Sequence, residues 1–281
     1  MKGLKRNLID KFYTKPQVVQ QCIDFLIQNL STDSITEIET IIEPSAGAGA
    51  FIELIRATFP NKIHVFYDIE PDHPDITQQD FLTSTPIHNS LVLGNPPFGR
   101  KLATANKFIK HATKFARIIA FILPKSFKKQ SVQKTAFSSN FHLVGELDLP
   151  YESFLVDDEP HDVPCVFQIW VKKDTMREIP QRQIPIGFKF VKQGSTEDEI
   201  HLAFRRIGVN AGKVWDQDFD SKSDQSHYFI ELNDPQIKDQ IFQRLNDYRY
   251  PFDNTVGPKS ISKQELTPIF NQIIHEFLDN T

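Results

Sequence analysis

Asn95-Pro96-Pro97-Phe98 follows an apolar run, Leu91–Gly94, and is the segment of this sequence best suited to chemistry. Two consecutive prolines supply no backbone donor and fix φ, so the carbonyl of Pro96 is held rigidly outside any helix. Asn95 adds a side-chain carbonyl beside it. Two acceptors converging on one amine suit the exocyclic nitrogen of adenine, a poor nucleophile because its lone pair is delocalised into the ring. Accepting its two hydrogens favours a more tetrahedral nitrogen with the lone pair aimed at an electrophilic methyl group. Positioning and preorganised dipoles then do most of the catalysis, and neither a metal nor a general base is required. Phe98 is placed to stack on the base, a contact of about 1–3 kcal/mol. The competing reading is a stiff strand-end turn with a core phenylalanine.

A second constellation lies upstream. Glu43-Pro44-Ser45-Ala46-Gly47-Ala48-Gly49-Ala50-Phe51 sits between a strand and a helix, where glycines let the backbone turn tightly and approach a ligand. Asp68 comes 21 residues after Gly47, at the end of the next strand, where an acid can accept hydrogen bonds from both ribose hydroxyls of a nucleoside. The third glycine of a dinucleotide fingerprint is absent, and no Gly-Lys-Ser/Thr phosphate cradle occurs. Glu43 before the turn repels a pyrophosphate and welcomes a cation. S-adenosylmethionine carries an ammonium and a sulfonium and no phosphate, so the residues favour it over NAD or ATP.

The elements that must position these residues read as alternating strands and helices. A helix spans 14–30, with Thr14 as its cap and Pro16 in its first turn. Strands follow at 40–43, 63–67, 91–94 and 118–123, with helices near 51–58 and 103–115. Strands at 143–149 and 163–171 have no helix between them, only an acidic loop with Tyr151, Asp157, Asp158 and Glu159, so they pair antiparallel at the sheet edge. Apolar strands alternating with helices argue for an α/β, doubly wound, mostly parallel sheet. Between Asp68 and Thr77 the chain is too short for a crossover helix, so the third strand is vestigial or its helix is missing. From Asp174 the pattern changes to short segments punctuated by proline and glycine. The reading is thus a domain over 1–173 and a small α+β target-recognition or accessory region over 174–281, with strands at 188–191 and 227–232 and helices near 235–245 and 263–278.

Over 281 residues the net charge is −4, but ten lysines and arginines and no acid fall between Arg100 and Thr135. That asymmetry suits either a phosphate-facing surface or solvated helix faces. No run reaches the length of a membrane span, and the start lacks the apolar core of a secretory signal. Cys22 and Cys165 lie far apart in apolar stretches, as buried thiols of a reducing compartment, and the nine histidines show no metal-ligand spacing. The expectation is an intracellular protein, cytoplasmic or nuclear, with no metal site.

In these motifs and their order the chain resembles the class I adenine-N6 amino-methyltransferases, in the gamma-like arrangement where cofactor motifs precede the catalytic one. It is similar to DNA methyltransferases assigned by sequence in large DNA viruses and microbes. The likeness covers about residues 10–173. Asp10 to Pro16 resembles the family's amino-terminal motif, which implies that Phe12, Tyr13, Thr14 and Pro16 flank the methionine end of S-adenosylmethionine. Glu43 to Phe51 resembles the main cofactor loop, with Glu43 near the methionine amine and Ser45, Ala46, Gly47 and Gly49 in the turn. Tyr67-Asp68-Ile69-Glu70-Pro71 resembles the ribose motif, and Gln79-Asp80-Phe81-Leu82 the adenine motif, in which Asp80 accepts from the cofactor's amine and Phe81 packs on its ring. Asn95 to Phe98 resembles the catalytic motif. Ile122 to Phe127 resembles the strand and turn beside the target pocket, which implies substrate contacts from Lys125, Ser126 and Phe127. The resemblance implies a seven-stranded Rossmann-like sheet with an antiparallel edge strand.

Arg100 and the loop of Arg205, Arg206 and Asn210 combine residue types that reach phosphates and base edges, although that loop also reads as a strand with an exposed turn. His161 and Asp162 fall near the expected pocket without a fixed role. The expected partner is nucleic acid, DNA ahead of RNA, and the small region from Asp174 makes RNA the main rival. The same residues also admit methylation of a protein glutamine, or a catalytically inactive nucleic-acid-binding module.

Overall fold

Unbroken apolar runs become the inner strands of a sheet covered on both faces. The computed structural model describes residues 12–178, 181–194, 199–250 and 259–278. The first unit runs β1 (Tyr13–Thr14), α1 (Pro16–Asn29), α2 (Thr32–Thr36), β2 (Thr40–Glu43), α3 (Ile52–Thr58), β3 (Ile63–Asp68), β4 (Thr77–Gln78) and β5 (Ser90–Gly94). It continues through α4 (Ala103–Ala112), β6 (Ala116–Pro124), α5 (Gln130–Ala136), β7 (Phe141–Asp148), β8 (Phe154–Val156), β9 (Glu159–His161) and β10 (Cys165–Lys172).

Seven strands form the main sheet in the order β4-β3-β2-β5-β6-β10-β7. From β4 to β6 all neighbours are parallel. β10 runs antiparallel to both β6 and β7, so the reversed strand lies one place in from the edge. Successive side chains point to opposite faces, and this divides the core in two. Ile41, Leu91, Leu93, Ile118 and Ile122 pack with α1 and α3 through Val19, Leu26, Ile52 and Ile55. Ile42, Val92, Ile119 and Phe121 face the other way, onto Phe108, Ile109 and Ala112 of α4 and Ala136 of α5. This is the doubly wound, Rossmann-like arrangement. No helix separates β3 from β4, and β4 is two exposed residues long.

Two local expectations are corrected. Thr14 does not cap α1: Lys15 holds that position without a side-chain bond, and Thr14 belongs to β1. The acidic loop is a β-hairpin, β8 to β9, whose turn residues Asp157 and Asp158 both take positive φ, 51° and 64°. Short polar side chains tolerate that conformation better than most, and a two-residue hairpin of this hand requires it twice. The hairpin matters because β8 also pairs with β1, Tyr13 opposite Leu155 and Thr14 opposite Phe154.

The chain divides into Met1–Ile179 and Pro180–Thr281, beyond the compositional change at Asp174. Arg177 explains why the first unit extends so far. Its guanidinium donates to the carbonyls of Gln133, Phe137, Ser138 and Phe141 at the end of α5 and lies 5.3 Å over the Trp170 ring. The second unit is α+β. Its strands β11 (Phe188–Val191), β12 (Leu202–Arg205), β13 (Val214–Trp215) and β14 (His227–Leu232) form an antiparallel sheet in the order β11-β14-β12-β13. The helices α6 (Lys238–Asp247) and α7 (Lys263–Leu278) cover it, Ile241, Leu245, Leu266 and Phe270 packing on Phe204 and Ile230. Among the described residues no helix is long and apolar enough to cross a membrane, and no His, Cys, Asp or Glu group converges on a metal position.

Candidate functional site

The carboxyl ends of β2, β3 and β5 open on one edge of the sheet, where α/β folds bind ligands. A cavity of about 360 Å³ lies there, within the range of about 300–1,000 Å³ typical of small-molecule sites. Its floor is the turn after β2. Gly47 takes φ 54°, and its N–H donates to Asp68 Oδ2 at 2.8 Å, while Glu70 N donates to Asp68 Oδ1 at 2.8 Å. The carboxylate thus pins the glycine turn to the end of β3. Each of its oxygens keeps a second lone pair for a ligand hydroxyl. Tyr13 closes the turn from above: a methyl group on Gly47 would meet its ring at 3.2 Å, and its hydroxyl donates to Asp72 Oδ2 at 2.9 Å.

Charge in the cavity is one-sided. Glu43, Asp68, Glu70 and Asp80 all line it, and no Lys, Arg or His does among the described residues. Asp80 spends Oδ1 on Leu82 N at 2.9 Å, and Phe81 presents a ring that is otherwise packed against Phe108 and His111. Glu43 is the extreme case. Only 2% exposed, it leaves Oε2 without a hydrogen-bond partner, and burial, helped by the Asp68 charge, raises its pKa to about 8. Asp68, Glu70 and Asp80 repel a phosphate and draw in a cation, and a cation seated beside Glu43 favours its ionised form.

The raised pKa gives a pH-dependent prediction. The folded protein favours protonated Glu43, so the stability tied to that preference is full below the ordinary carboxylate pKa and lost as pH rises through about 8. Glu43→Gln keeps the shape without the charge. Melting curves should coincide at pH 4 and differ by several degrees in the variant's favour at pH 9. Equal melting differences at both pH values contradict the assignment.

Asn95 forms the opposite wall. Its Nδ2 donates to Phe12 O at 3.1 Å and to Thr14 Oγ1 at 3.2 Å. A backbone carbonyl can only accept, so the Phe12 contact fixes which end of the amide is nitrogen. Oδ1 is then left buried and without a partner. Ser45 Oγ also donates to the Asn95 carbonyl at 3.1 Å, which ties the glycine turn to the tetrapeptide. The residue is therefore held from three segments, β1, the turn after β2 and the end of β5, with its side-chain acceptor unspent.

A family model, the EDM2 methyltransferase-like domain, matches residues 35–182, more than half of the chain. The chain belongs to this family. Its matched region is a methyltransferase-like domain of Rossmann-like fold. Among solved structures, the Pyrococcus horikoshii protein PH1948, described as a candidate RNA methyltransferase, is 12% identical. The match covers 61% of this chain and 92% of that one, with a TM-score of 0.44. The Thermoplasma acidophilum protein 1320 is 17% identical, over 56% and 86% of the two chains, with a TM-score of 0.38. The plantazolicin methyltransferase BpumL, solved with SAH, is 10% identical over 56% and 89%, with a TM-score of 0.32. No curated protein matches the sequence.

In this methyltransferase-like domain the cavity gathers Phe12, Tyr13, Thr14, Glu43, Ser45, Ala46, Gly47, Asp68, Ile69, Asp80, Phe81, Asn95 and Pro97 from the residues singled out by sequence. Asp10 and Lys11 fall outside the described residues. Pro16 is not in the wall but is the exposed first residue of α1. Gly49 serves packing instead, since a methyl group there would strike Ile52 at 2.9 Å and the His73 ring at 3.1 Å. The extended tetrapeptide turns Asn95 and Pro97 to the cavity, while Pro96 is buried away from it and Phe98 packs on the core of α1 and α3.

The substrate residues fare differently. Phe127 is 0% exposed in the core of α4 and α5, so it cannot touch a substrate, and its carbonyl accepts from Gln133 and Gln168. Lys125 pairs with Asp148 at 3.6 Å, and neither it nor Ser126 lines the cavity. Arg205 and Arg206 belong to the second unit, and neither lines the cavity. Arg205 donates to Ile207 O and Ser226 Oγ, and Arg206 lies 5.1 Å over the Tyr228 ring. Asn210 is exposed in the same unit. His161 packs its ring 5.4 Å from Phe12, and Asp162 accepts from Glu152 N, so both support the hairpin behind β1.

Sequence reasoning missed a third wall of Gly99, Thr104 and Phe108. Gly99 takes φ 68°, and a methyl group there would overlap Thr104 Oγ1. The signal was the glycine directly after Phe98, which only glycine's freedom and lack of a side chain explain.

Proposed function

We propose that this protein is an S-adenosylmethionine-dependent methyltransferase acting on the exocyclic N6 of adenine in DNA. The cofactor assignment rests on the cavity's chemistry. Glu43 would hold the cofactor's ammonium, Asp68 its ribose hydroxyls, and Asp80 and Phe81 its adenine. S-adenosylmethionine supplies a methyl group on a sulfonium, an already activated donor.

The observation that carries the substrate assignment is Asn95 Oδ1, a buried acceptor with no partner on a side chain whose nitrogen is held twice. An unpaired buried acceptor costs stability and is kept where something else must fill it. An amine that enters the cavity and displaces the side chains packed over that oxygen satisfies it. Asn95 then accepts one hydrogen of the target amine and turns the nitrogen lone pair out of conjugation. The bound donor would supply the methyl group to this nitrogen and leave as the neutral thioether, and one amine proton would pass to water. The Phe12 and Thr14 oxygens keep the amide from rotating during this change. In duplex DNA the target must leave the base stack to reach Asn95.

Purified protein incubated with methyl-labelled S-adenosylmethionine tests the reading in parallel on unmethylated duplex DNA, single-stranded DNA, total RNA and cell protein. Label is expected in DNA, recovered as N6-methyladenine after digestion. Label confined to RNA or to protein, or recovered on a ring nitrogen or on cytosine, overturns it.

A further inference from the structure

The ten cations between Arg100 and Thr135 do not form one surface. Arg117 pairs with Glu37, Lys125 with Asp148, and Lys128 with Asp148 at 3.0 Å and Glu146 at 3.9 Å. Five others, Arg100, Lys101, Lys107, Lys110 and Lys114, are exposed at the start of α4 and along it, and among the described residues none pairs with a carboxylate. Lys107, Lys110 and Lys114 follow i, i+3, i+7 spacing, one stripe of the helix, and Lys114 sits in the turn that closes it. The opposite face of α4, with Ala105, Ile109 and Ala112, is buried in the core. At a rise of roughly 1.5 Å per residue the stripe is about 10 Å long.

Two features show that this is more than a solvated helix. Like charges three residues apart destabilise a helix, and no interleaved acid relieves them here. The helix dipole welcomes cations at the carboxyl end, which accounts for Lys110 and Lys114, but opposes Arg100 and Lys101 at the amino end. Lys101 also sits in a costly backbone, since it and Leu102 take φ 52° and 64°, in the left-handed region. The amino end of α4 is at the cavity, since Gly99, Thr104 and Phe108 are in its wall.

We propose that the exposed face of α4, with Arg100 and Lys101, is the docking surface for the phosphodiester backbone of the DNA strand that presents the target adenine. This rests on the DNA reading above. Its phosphates run along the stripe and deliver the base to the mouth beside Gly99.

Anisotropy of a fluorescent DNA oligonucleotide, titrated at several salt concentrations, tests the surface without needing catalysis. Each phosphate contact adds about 0.7 (single strand) to 0.9 (duplex) to the steepness of log K against log salt. Lys107→Gln/Lys110→Gln/Lys114→Gln should lower that steepness by about 2–3, raise KM for DNA, leave cofactor affinity unchanged and leave the melting temperature no lower than wild type. Lys172→Gln/Lys173→Gln, an exposed pair at the end of β10 remote from the cavity edge, should leave the steepness unaltered. An unchanged slope in the triple variant, an equal loss in the Lys172/Lys173 control, preference for RNA of the same sequence, or displacement by polyglutamate but not by DNA overturns the proposal. If the triple variant behaves as expected and DNA receives no methyl group, the surface stands and the adenine reading falls.

Discussion

Asn95→Ala lowers methyl transfer by about 10²–10³-fold or more, the cost of removing one preorganised polar group from a reacting centre, while cofactor affinity measured by calorimetry stays within a few-fold. The separation follows from geometry. The glycine turn is pinned by Asp68, not by the Asn95 side chain, and the cavity's acids are on β2, β3 and the segment after β4. Asn95 contributes one acceptor whose only demand is the incoming amine. Because Asn95 also steadies β1 through Phe12 and Thr14, a second variant separates the two roles. Thr14→Val keeps the acceptor and removes one of the amide's two partners. Its kcat should fall about fivefold, the worth of one hydrogen bond of about 1 kcal/mol. A loss of cofactor binding in Asn95→Ala as large as the loss of transfer would mean that the tetrapeptide belongs to the cofactor site.

The complementary expectation concerns Asp68→Ala. Two backbone N–H groups, of Gly47 and Glu70, lose a charged acceptor, each such bond being worth about 1.5–3 kcal/mol. The turn is then free to leave the conformation that shapes the cavity floor, and the ligand loses its hydroxyl partner. Cofactor affinity should fall by about 10²-fold or more, with kcat affected less once cofactor is saturating. Asp68→Asn, which keeps one acceptor oxygen, should fall between the two. An affinity within threefold of wild type in Asp68→Ala would remove the acid from the account.

The buried strands were legible because a parallel strand covered on both faces must be apolar throughout, as in Leu91–Gly94 and Ile118–Leu123. The glycine turn, Asp68 and Asn95 were legible for a related reason, since they occupy strand ends where sequence order translates into position. What could not be read was anything set by tertiary packing. Nothing local tells whether Phe127, one turn beyond β6, points into a pocket or into the core, and the packing of α4 and α5 decides for the core. β1 and β4 are two residues long and carry no periodicity. The pairing of β1 with an Asp-Asp hairpin brings residues 13 and 155 together, and no motif announces it. Charge was legible as a run but not as a surface. The partners of Arg117, Lys125 and Lys128 come from strands and loops distant in the chain, and only the fold shows which cations those carboxylates reach.

The most direct test is a structure of the protein with S-adenosylhomocysteine and a DNA oligonucleotide carrying an unpaired adenine. The adenine N6 should lie within about 2.7–3.2 Å of Asn95 Oδ1, facing the sulfur, with the amino group of the cofactor product on Glu43. An adenine bound away from Asn95, or an Asn95 Oδ1 still without a partner in that complex, would contradict the account.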